Sequence, residues 1–372
     1  MRKRRRLLAA VVALLLAAAI VLFFVTTDGG ASLGASAEGE RLARMEASPR
    51  WAGGGFENDP PVPTMDTSKI TAALRSYLDR GGPAEPQGEV PLVEGPGPEV
   101  PPASGLRLRW LGHSTVLFEI DGARILTDPI FSDRASPSTL VGPHRFHPLP
   151  VEPAALPPLD AVLLSHDHYD HLDMETVRLL AAQGVPFFAP LGVGAHLERW
   201  GVPPAQIHEF DWWQEAEVAG VRLVATPSQH FSGRGLLDRN ATLWTSWSLV
   251  GPRHRVFFSG DTGLTPLLGE VGTRLGPFDV ALFEIGAFHP AWGTIHLGPD
   301  GALEALRLVQ GRALLPIHWA TFDLGPHPWA EPPERLFERA RAAGVRLLTP
   351  QVGEVLEPAL APPPRPWWRH LK

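Results

Sequence analysis

From Leu106 onward the chain runs in short apolar stretches broken by turn residues, a pattern of strands. Leu106 to Leu111, Thr115 to Ile120 and Arg124 to Thr127 predict a meander, with Asp121-Gly122 turning between the last two. Asp160 to Leu164 is a nearly continuous apolar run and reads as a buried strand. A helical pattern follows, from Met174 to Ala182. Downstream, strands and helices alternate: Phe187-Phe188, a hairpin through Ala219-Gly220 that continues into Val221 to Ala225, and Leu243 to Val250 paired with Arg255 to Phe258. Val280 to Glu284, a helix begun by Pro299, Leu314 to Ile317, a helix over Pro332 to Ala343 and a strand at Val345 to Leu348 complete the body. This alternation predicts an α/β protein of two β-sheets with helices outside.

Upstream of the meander the pattern weakens. Ser68 to Leu78 predicts one helix with Thr67 as its cap, and residues 81–105 carry too much Pro and Gly for regular structure. Residues 26–49 are rich in Gly, Ala and Ser and read as a flexible linker. The chain thus divides into an N-terminal segment (1–25), a linker and opening segment (26–105), a catalytic body (106–358) and a Pro-rich tail (359–372).

The N-terminal segment is of a different kind. Arg2-Lys3-Arg4-Arg5-Arg6 precedes nineteen consecutive apolar residues, Leu7 to Val25. That length spans a bilayer as a helix, and the basic flank predicts a cytoplasmic N-terminus with the body outside. The competing reading is a signal peptide, whose apolar core is usually about 7–15 residues. Ala35-Ser36-Ala37 would be its cleavage site, giving a secreted protein, but it lies well beyond the apolar run. An uncleaved membrane anchor is the expectation.

The 372 residues contain no cysteine, which excludes disulfides and thiolate metal sites. Net charge is −7; without the five basic N-terminal residues the body carries about −12. A body this acidic lacks the cations that a nucleic-acid phosphate track requires, so no nucleic-acid partner is expected. Oligomeric state is not legible.

The candidate chemistry sits in Ser165-His166-Asp167-His168-Tyr169-Asp170-His171-Leu172, directly after the buried strand. Three imidazoles and two further carboxylates crowd one strand end, where His166 and His168 can aim at one ion and Asp170 and His171 at a second. Imidazole and carboxylate without thiolate suit a catalytic zinc, iron or manganese site. Three single residues lie past other apolar runs: His230 after Val221 to Ala225, Asp261 after Arg255 to Phe258, and His318 after Ala313 to Ile317. Singly, His230 or His318 would be an ordinary histidine and Asp261 a helix cap. In this order, behind the His-x-His-x-Asp-His loop, they predict ligands.

The order His-x-His-x-Asp-His, His, Asp, His resembles the ligand pattern of the metallo-β-lactamase fold superfamily. A closer resemblance is to its N-acyl-phosphatidylethanolamine-hydrolysing phospholipase D-like branch. Trp110 to Thr115, Leu126 to Pro137, Gly142-Pro143 with Arg145-Phe146, Tyr169 in the metal loop and His296 to Pro299 carry it. Gly55-Phe56-Glu57-Asn58 also resembles a Phe-x-Asn-Pro element of that branch, except that Asp59 intervenes before Pro60. The resemblance implies an αββα sandwich of two mixed sheets with the site at one edge.

It also implies two divalent ions, zinc above all, with iron or manganese as alternatives. His166, His168 and His230 would hold the first, Asp170, His171 and His318 the second, and Asp261 would bridge. A metal-bridging hydroxide would then hydrolyse a phosphodiester in an N-acyl phospholipid, with Asp170 and His296 at the reacting centre. A lactone or other small ester is the alternative substrate, and a metal-stabilised membrane-anchored binding module is the non-enzymatic alternative. Asp128 and His113 are candidates to orient the imidazoles, with turn chemistry as the competing role. Asp167 stands where the branch often has Asn and is expected to add a charge beside the metals. Trp212, Trp213, Trp244, Trp247, Phe231 and Phe288 are expected to pack in the core, with some available to line an acyl groove.

Overall fold

A computed structural model describes residues 29–63 and 67–371. Elements are numbered in chain order. The strands of the opening hairpin are β1 (Trp51–Ala52) and β2 (Gly55–Phe56). The first large sheet holds β3 (Leu106–Gly112), β4 (Thr115–Ile120), β5 (Ala123–Thr127), β6 (Ala161–Leu163), β7 (Phe187–Pro190) and β8 (Ile207–Phe210). The second holds β9 (Glu215–Val218), β10 (Val221–Thr226), β11 (Ser246–Val250), β12 (Arg255–Phe258), β13 (Val280–Glu284) and β14 (Leu314–Ile317); β15 (Val355–Leu356) returns to the first. The helices are α1 (Gly29–Ser32), α2 (Gly39–Glu46), α3 (Ile70–Leu78), α4 (Met174–Ala182), α5 (Val193–Arg199), α6 (Leu267–Leu275), α7 (Gly298–Leu308) and α8 (Glu331–Ala343).

The first sheet has the order β15-β3-β4-β5-β6-β7-β8, antiparallel through β5 and parallel from β5 to β8. The second has the order β14-β13-β12-β11-β10-β9, parallel among β12, β13 and β14. Alternation along the strands explains the layering. Leu108, Trp110 and Phe118 face Leu223, Trp247 and Phe258 between the sheets, while Leu111, Leu117 and Val162 face outward onto Val177 and Leu180 of α4. Helices α6, α7 and α8 cover the outer face of the second sheet through Leu268, Leu306 and Leu336. The expected sandwich of two mixed sheets with outer helices is the observed fold.

Several local expectations need correction. Residues 29–49 are not a loose linker: Arg41 pairs with Glu198 at 2.6 Å and with Glu209 at 2.8 Å, Arg44 also reaches Glu209, and Met45 is buried. The Glu209 side chain is almost wholly enclosed, so the two arginines supply the counter-charge that fastens α2. Val345 to Leu348 makes a single bridge, Leu314 to Leu347, rather than a strand. The second-sheet strand expected from Leu243 begins at Ser246, because Leu243 and Trp244 turn into the cluster around Met45 and Phe56. Helix α5 and strand β8 had no sequence prediction. In the C-terminal segment, Trp367 stacks on Trp319 at 5.2 Å and Trp368 is fully buried.

Among the described residues no helix is long and apolar enough to cross a membrane. The apolar run 7–25 lies outside the described residues.

Candidate metal centre

Every predicted ligand leaves the end of a strand facing the seam between the sheets. The loop 165–172 leaves β6, His230 follows β10, Asp261 follows β12 and His318 follows β14. Strand ends are rigid, so side chains from four of them converge with little conformational freedom left to lose.

The side chains form overlapping sets. His166 Nε2 lies 2.8 Å from His168 Nδ1, and His230 Nε2 lies 3.3 Å from the same atom. His113, Asp170, His171 and His318 make a second set, in which Asp170 Oδ2 is 2.9 Å from His113 Nε2, 3.1 Å from His318 Nε2 and 3.3 Å from His171 Nε2. Asp261 stands between them: Oδ1 is 3.3 Å from His171 Nε2, and Oδ2 is 3.2 Å from His318 Nε2 and 3.7 Å from His230 Nε2. Each set could hold a metal ion, with ligand atoms within 4.8 Å of one another.

The electrostatics fit a cation here. His171 Nε2 and Asp261 Oδ1 are buried without a hydrogen-bond partner, an arrangement costly for polar atoms unless something binds both. Burial, with neighbouring His171, His168 and His230, holds His166 well below the usual imidazole range, so it is neutral and ready to donate a lone pair. Burial drives His230 down as well, against the pull of Asp261. Burial opposes charge on His318, yet Asp261 and Asp170 raise it to about 10. Asp261 is likewise opposed by burial but held well below the carboxylate range by His171 and His318. Buried Asp261 and partly buried Asp170 thus demand positive charge, from imidazolium protons or from metal that displaces them.

The supporting residues resolve two ambiguous predictions. Asp128 accepts His171 Nδ1–H at 2.7 Å and also Ser165 N–H at 2.7 Å, so it fixes one ring and the start of the loop together. His113 donates to Asp170 and anchors its own backbone on Thr321 Oγ1 at 2.7 Å. His113, Asp128 and His318 all adopt left-handed backbone, with φ of 49°, 34° and 63°. Such conformations cost on the order of 1–3 kcal/mol each and persist only where the surroundings impose them.

Asp167 places its charge beside His168, which it pulls upward, and its carboxylate accepts Gly233 N–H at 2.8 Å and Thr242 Oγ1–H at 2.9 Å, with His196 Nε2 at 3.4 Å. The charge is spent on tying the metal loop to the 231–242 loop, where an amide would have made fewer acceptor contacts. His296 lies within the cluster: its ring is 5.1 Å from His230 and 5.6 Å from His318, and it shares a potential ligand set with His230 and Asp261. Of the aromatics, Trp212, Trp244 and Trp247 are buried as expected, whereas Phe231 packs on the ring of His168 at 4.4 Å.

Three residues at the site carried no sequence signal for their roles. Glu284, fully buried at the end of β13, places Oε1 3.4 Å from His296 Nδ1. Asn58 accepts His230 N–H at 3.0 Å and donates to His230 O at 2.8 Å. Buried Arg234 donates to the carbonyls of Asp167 at 2.5 Å and Leu172 at 2.9 Å, and lies 4.0 Å over the Tyr169 ring. Asn58 sat inside the quoted Phe-x-Asn motif, which marked the residue but not its partner.

A sequence model of the beta-lactamase superfamily domain matches residues 123–319. The chain belongs to this superfamily of metal-dependent hydrolases. It is 47% identical over 345 residues to an uncharacterized protein of Mycobacterium tuberculosis, covering 91% of this chain and 92% of the relative. It is 36% identical over 271 residues to N-acyl-phosphatidylethanolamine-hydrolyzing phospholipase D 1 of Caenorhabditis elegans, covering 68% of this chain and 76% of that one. Among solved structures, Igni18, a metallo hydrolase of Ignicoccus hospitalis, superposes with a TM-score of 0.51 at 23% identity, over 68% of this chain and 97% of that chain. That likeness extends to the fold. For a beta-lactamase superfamily hydrolase, the strand-end cluster is the expected location of the metal centre.

Proposed function

We propose that this hydrolase is a dimetal phosphodiesterase of the phospholipase D type, acting on N-acyl phospholipids. The observation that carries the metal assignment is the position of Asp261, whose two oxygens face His171 on one side and His318 and His230 on the other. In this reading His166, His168 and His230 would hold one ion, Asp170, His171 and His318 would hold the other, and Asp261 would serve both. Zinc fits the nitrogen-rich donor set. Two such ions supply Lewis acidity toward the phosphoryl oxygen and a water acidic enough to react near neutral pH.

The chain's own residues do the rest. Asp128 and His113 keep His171 and Asp170 in one orientation, so that no reorganisation is needed during reaction. His296 is the side chain placed to hold a phosphate oxygen or pass a proton to the departing alcohol, and Glu284 Oε1 lies 3.4 Å behind it at Nδ1. Asp170 serves both as ligand and as the acceptor that steadies His113. The substrate class is supported by the 36% identity to the nematode protein, whose name states that activity. The apolar run 7–25 with its basic flank supports an anchored chain with the body outside the cytoplasm.

Mass analysis of products from a synthetic N-acyl phosphatidylethanolamine in mixed micelles tests the substrate. Phosphatidic acid and an N-acylethanolamine are expected. A metal-loaded enzyme that releases neither, yet opens lactones, would be a small-ester hydrolase instead. Protease added to spheroplasts tests the topology: the body is degraded while cytosolic controls survive.

A further inference from the structure

Among the described residues most large apolar side chains are enclosed, but Leu236 and Leu237 are 100% and 99% exposed. Two adjacent, fully solvated leucines at a loop tip are costly in water and mark an interaction surface. They have apolar neighbours. Pro137 lines the same groove as the leucine pair, and its loop continues to Leu140 and Val141, 68% and 62% exposed. The groove is an open cavity of about 1080 Å³, walled on the far side by Leu33, Leu42, Met45 and Trp51.

Two features say what covers this face. The described chain starts at Gly29, four residues before the groove wall at Leu33, and the nineteen-residue apolar run ends at Val25. Eight residues of chain join that run to the groove wall, so an apolar phase receiving it would lie within roughly 30 Å of the groove. The leucine loop is also continuous with the metal centre. It begins at His230 and Phe231, is tied to the metal loop by Gly233 N–H to Asp167 Oδ1 at 2.8 Å, and Arg234 O accepts Tyr169 O–H at 2.8 Å. A surface that met the leucines would lie beside the reacting centre.

We propose that the loop tips Leu140-Val141 and Leu236-Leu237, with the groove between them and the N-terminal segment, form a face that docks on a lipid bilayer. Paired exposed leucines on short loops enter the acyl boundary, while the acidic body stays in water. The face lies toward the β8 edge of the first sheet, where Gly192 and His196 of the α5 region line the groove. The proposal shares only its lipid chemistry with the functional reading above, and its test reads contact instead of turnover.

The absence of cysteine makes the test direct. Leu236→Cys in the full chain gives one thiol, labelled with an environment-sensitive dye. Leu360→Cys is the control, 68% exposed and placed after β15 at the opposite edge of the same sheet. Phosphatidylcholine vesicles carrying a spin-labelled lipid serve as quencher. Quenching at position 236 should exceed that at position 360 by at least about threefold, because only the docked face enters the interface. Equal quenching at the two positions, or none at either, would overturn the proposal, since the N-terminal run alone would then hold the body with no preferred face. A dye shift at position 236 that needs no vesicles and grows with protein concentration would overturn it in favour of a second copy of the chain.

Discussion

His171 donates its Nδ1 proton to Asp128 Oδ2 across 2.7 Å, and neither side chain has any exposure to solvent. The bond fixes the ring's tautomer and turns Nε2 toward Asp170 and Asp261. Asp128→Asn keeps the shape but replaces one acceptor oxygen with a donor. Metal retention should weaken by about 10- to 100-fold, read as metal content after competition with a graded chelator. Unchanged retention would reduce Asp128 to a turn residue.

Removal of metal should act on stability as well as on turnover. Asp261 is a buried and Asp170 a partly buried carboxylate, and both need positive charge. Chelation should abolish hydrolysis and lower the melting temperature, and added zinc should restore both. Asp261→Ala should lose metal and activity together. A chelated protein of full activity would exclude the metal reading.

His296→Ala should leave metal content near that of the wild type and cut kcat by about 100-fold, the common size of a lost proton-transfer or phosphate-holding group. Glu284→Gln should move kcat in the same direction by less, because Glu284 reaches the site through His296 and the Leu297 amide. Loss of metal in His296→Ala would instead make His296 a ligand, as its set with His230 and Asp261 allows.

Acid should destabilise the fold through His147. Burial, with the Arg145 charge beside it, lowers this imidazole to about 4, and its Nδ1–H is held by Pro148 O at 2.7 Å. In the unfolded chain the ring protonates near pH 6.5, so between about 6.5 and 4 the unfolded state binds more protons. The contribution is complete above pH 6.5 and lost as pH falls toward 4, up to roughly 3 kcal/mol. Urea midpoints measured across that window should fall less steeply for His147→Gln.

Arg234→Met should cost about 3 kcal/mol, because the carbonyls of Ser32, Asp167 and Leu172 lose a shared buried donor. Metal affinity should fall with it, since two of those carbonyls bracket the metal loop. Equilibrium denaturation of the chelated and the metal-loaded protein separates the two effects.

What the sequence disclosed follows from how local each feature is. His166, His168, Asp170 and His171 share one loop, and His230, Asp261 and His318 each follow a strand that an apolar run announces. His113 and Asp128 stayed ambiguous because strand-end turns and ligand support use the same residue types. Glu284 reads as the polar end of a buried strand, and only the packing of β13 against the 294–297 segment makes it a partner of His296. Arg234 lies in a Gly-flanked loop like any surface arginine; its enclosure depends on Tyr169, Trp200 and the N-terminal segment arriving from far along the chain. The same long-range contacts explain why residues 29–49 looked unstructured. Their composition is permissive, and the order comes from Glu198 and Glu209 on the body.

The ligand-type residues come from both sheets: 166–171 from the first, His230, Asp261 and His318 from the second. A cation bound there acts as a rivet through the two layers. Parting the layers and releasing the ion become one event, so the free-ion concentration enters the folding equilibrium directly. Where that cation is scarce, the chain would spend more time open to proteolysis, and its abundance would follow the metal supply with no dedicated sensor.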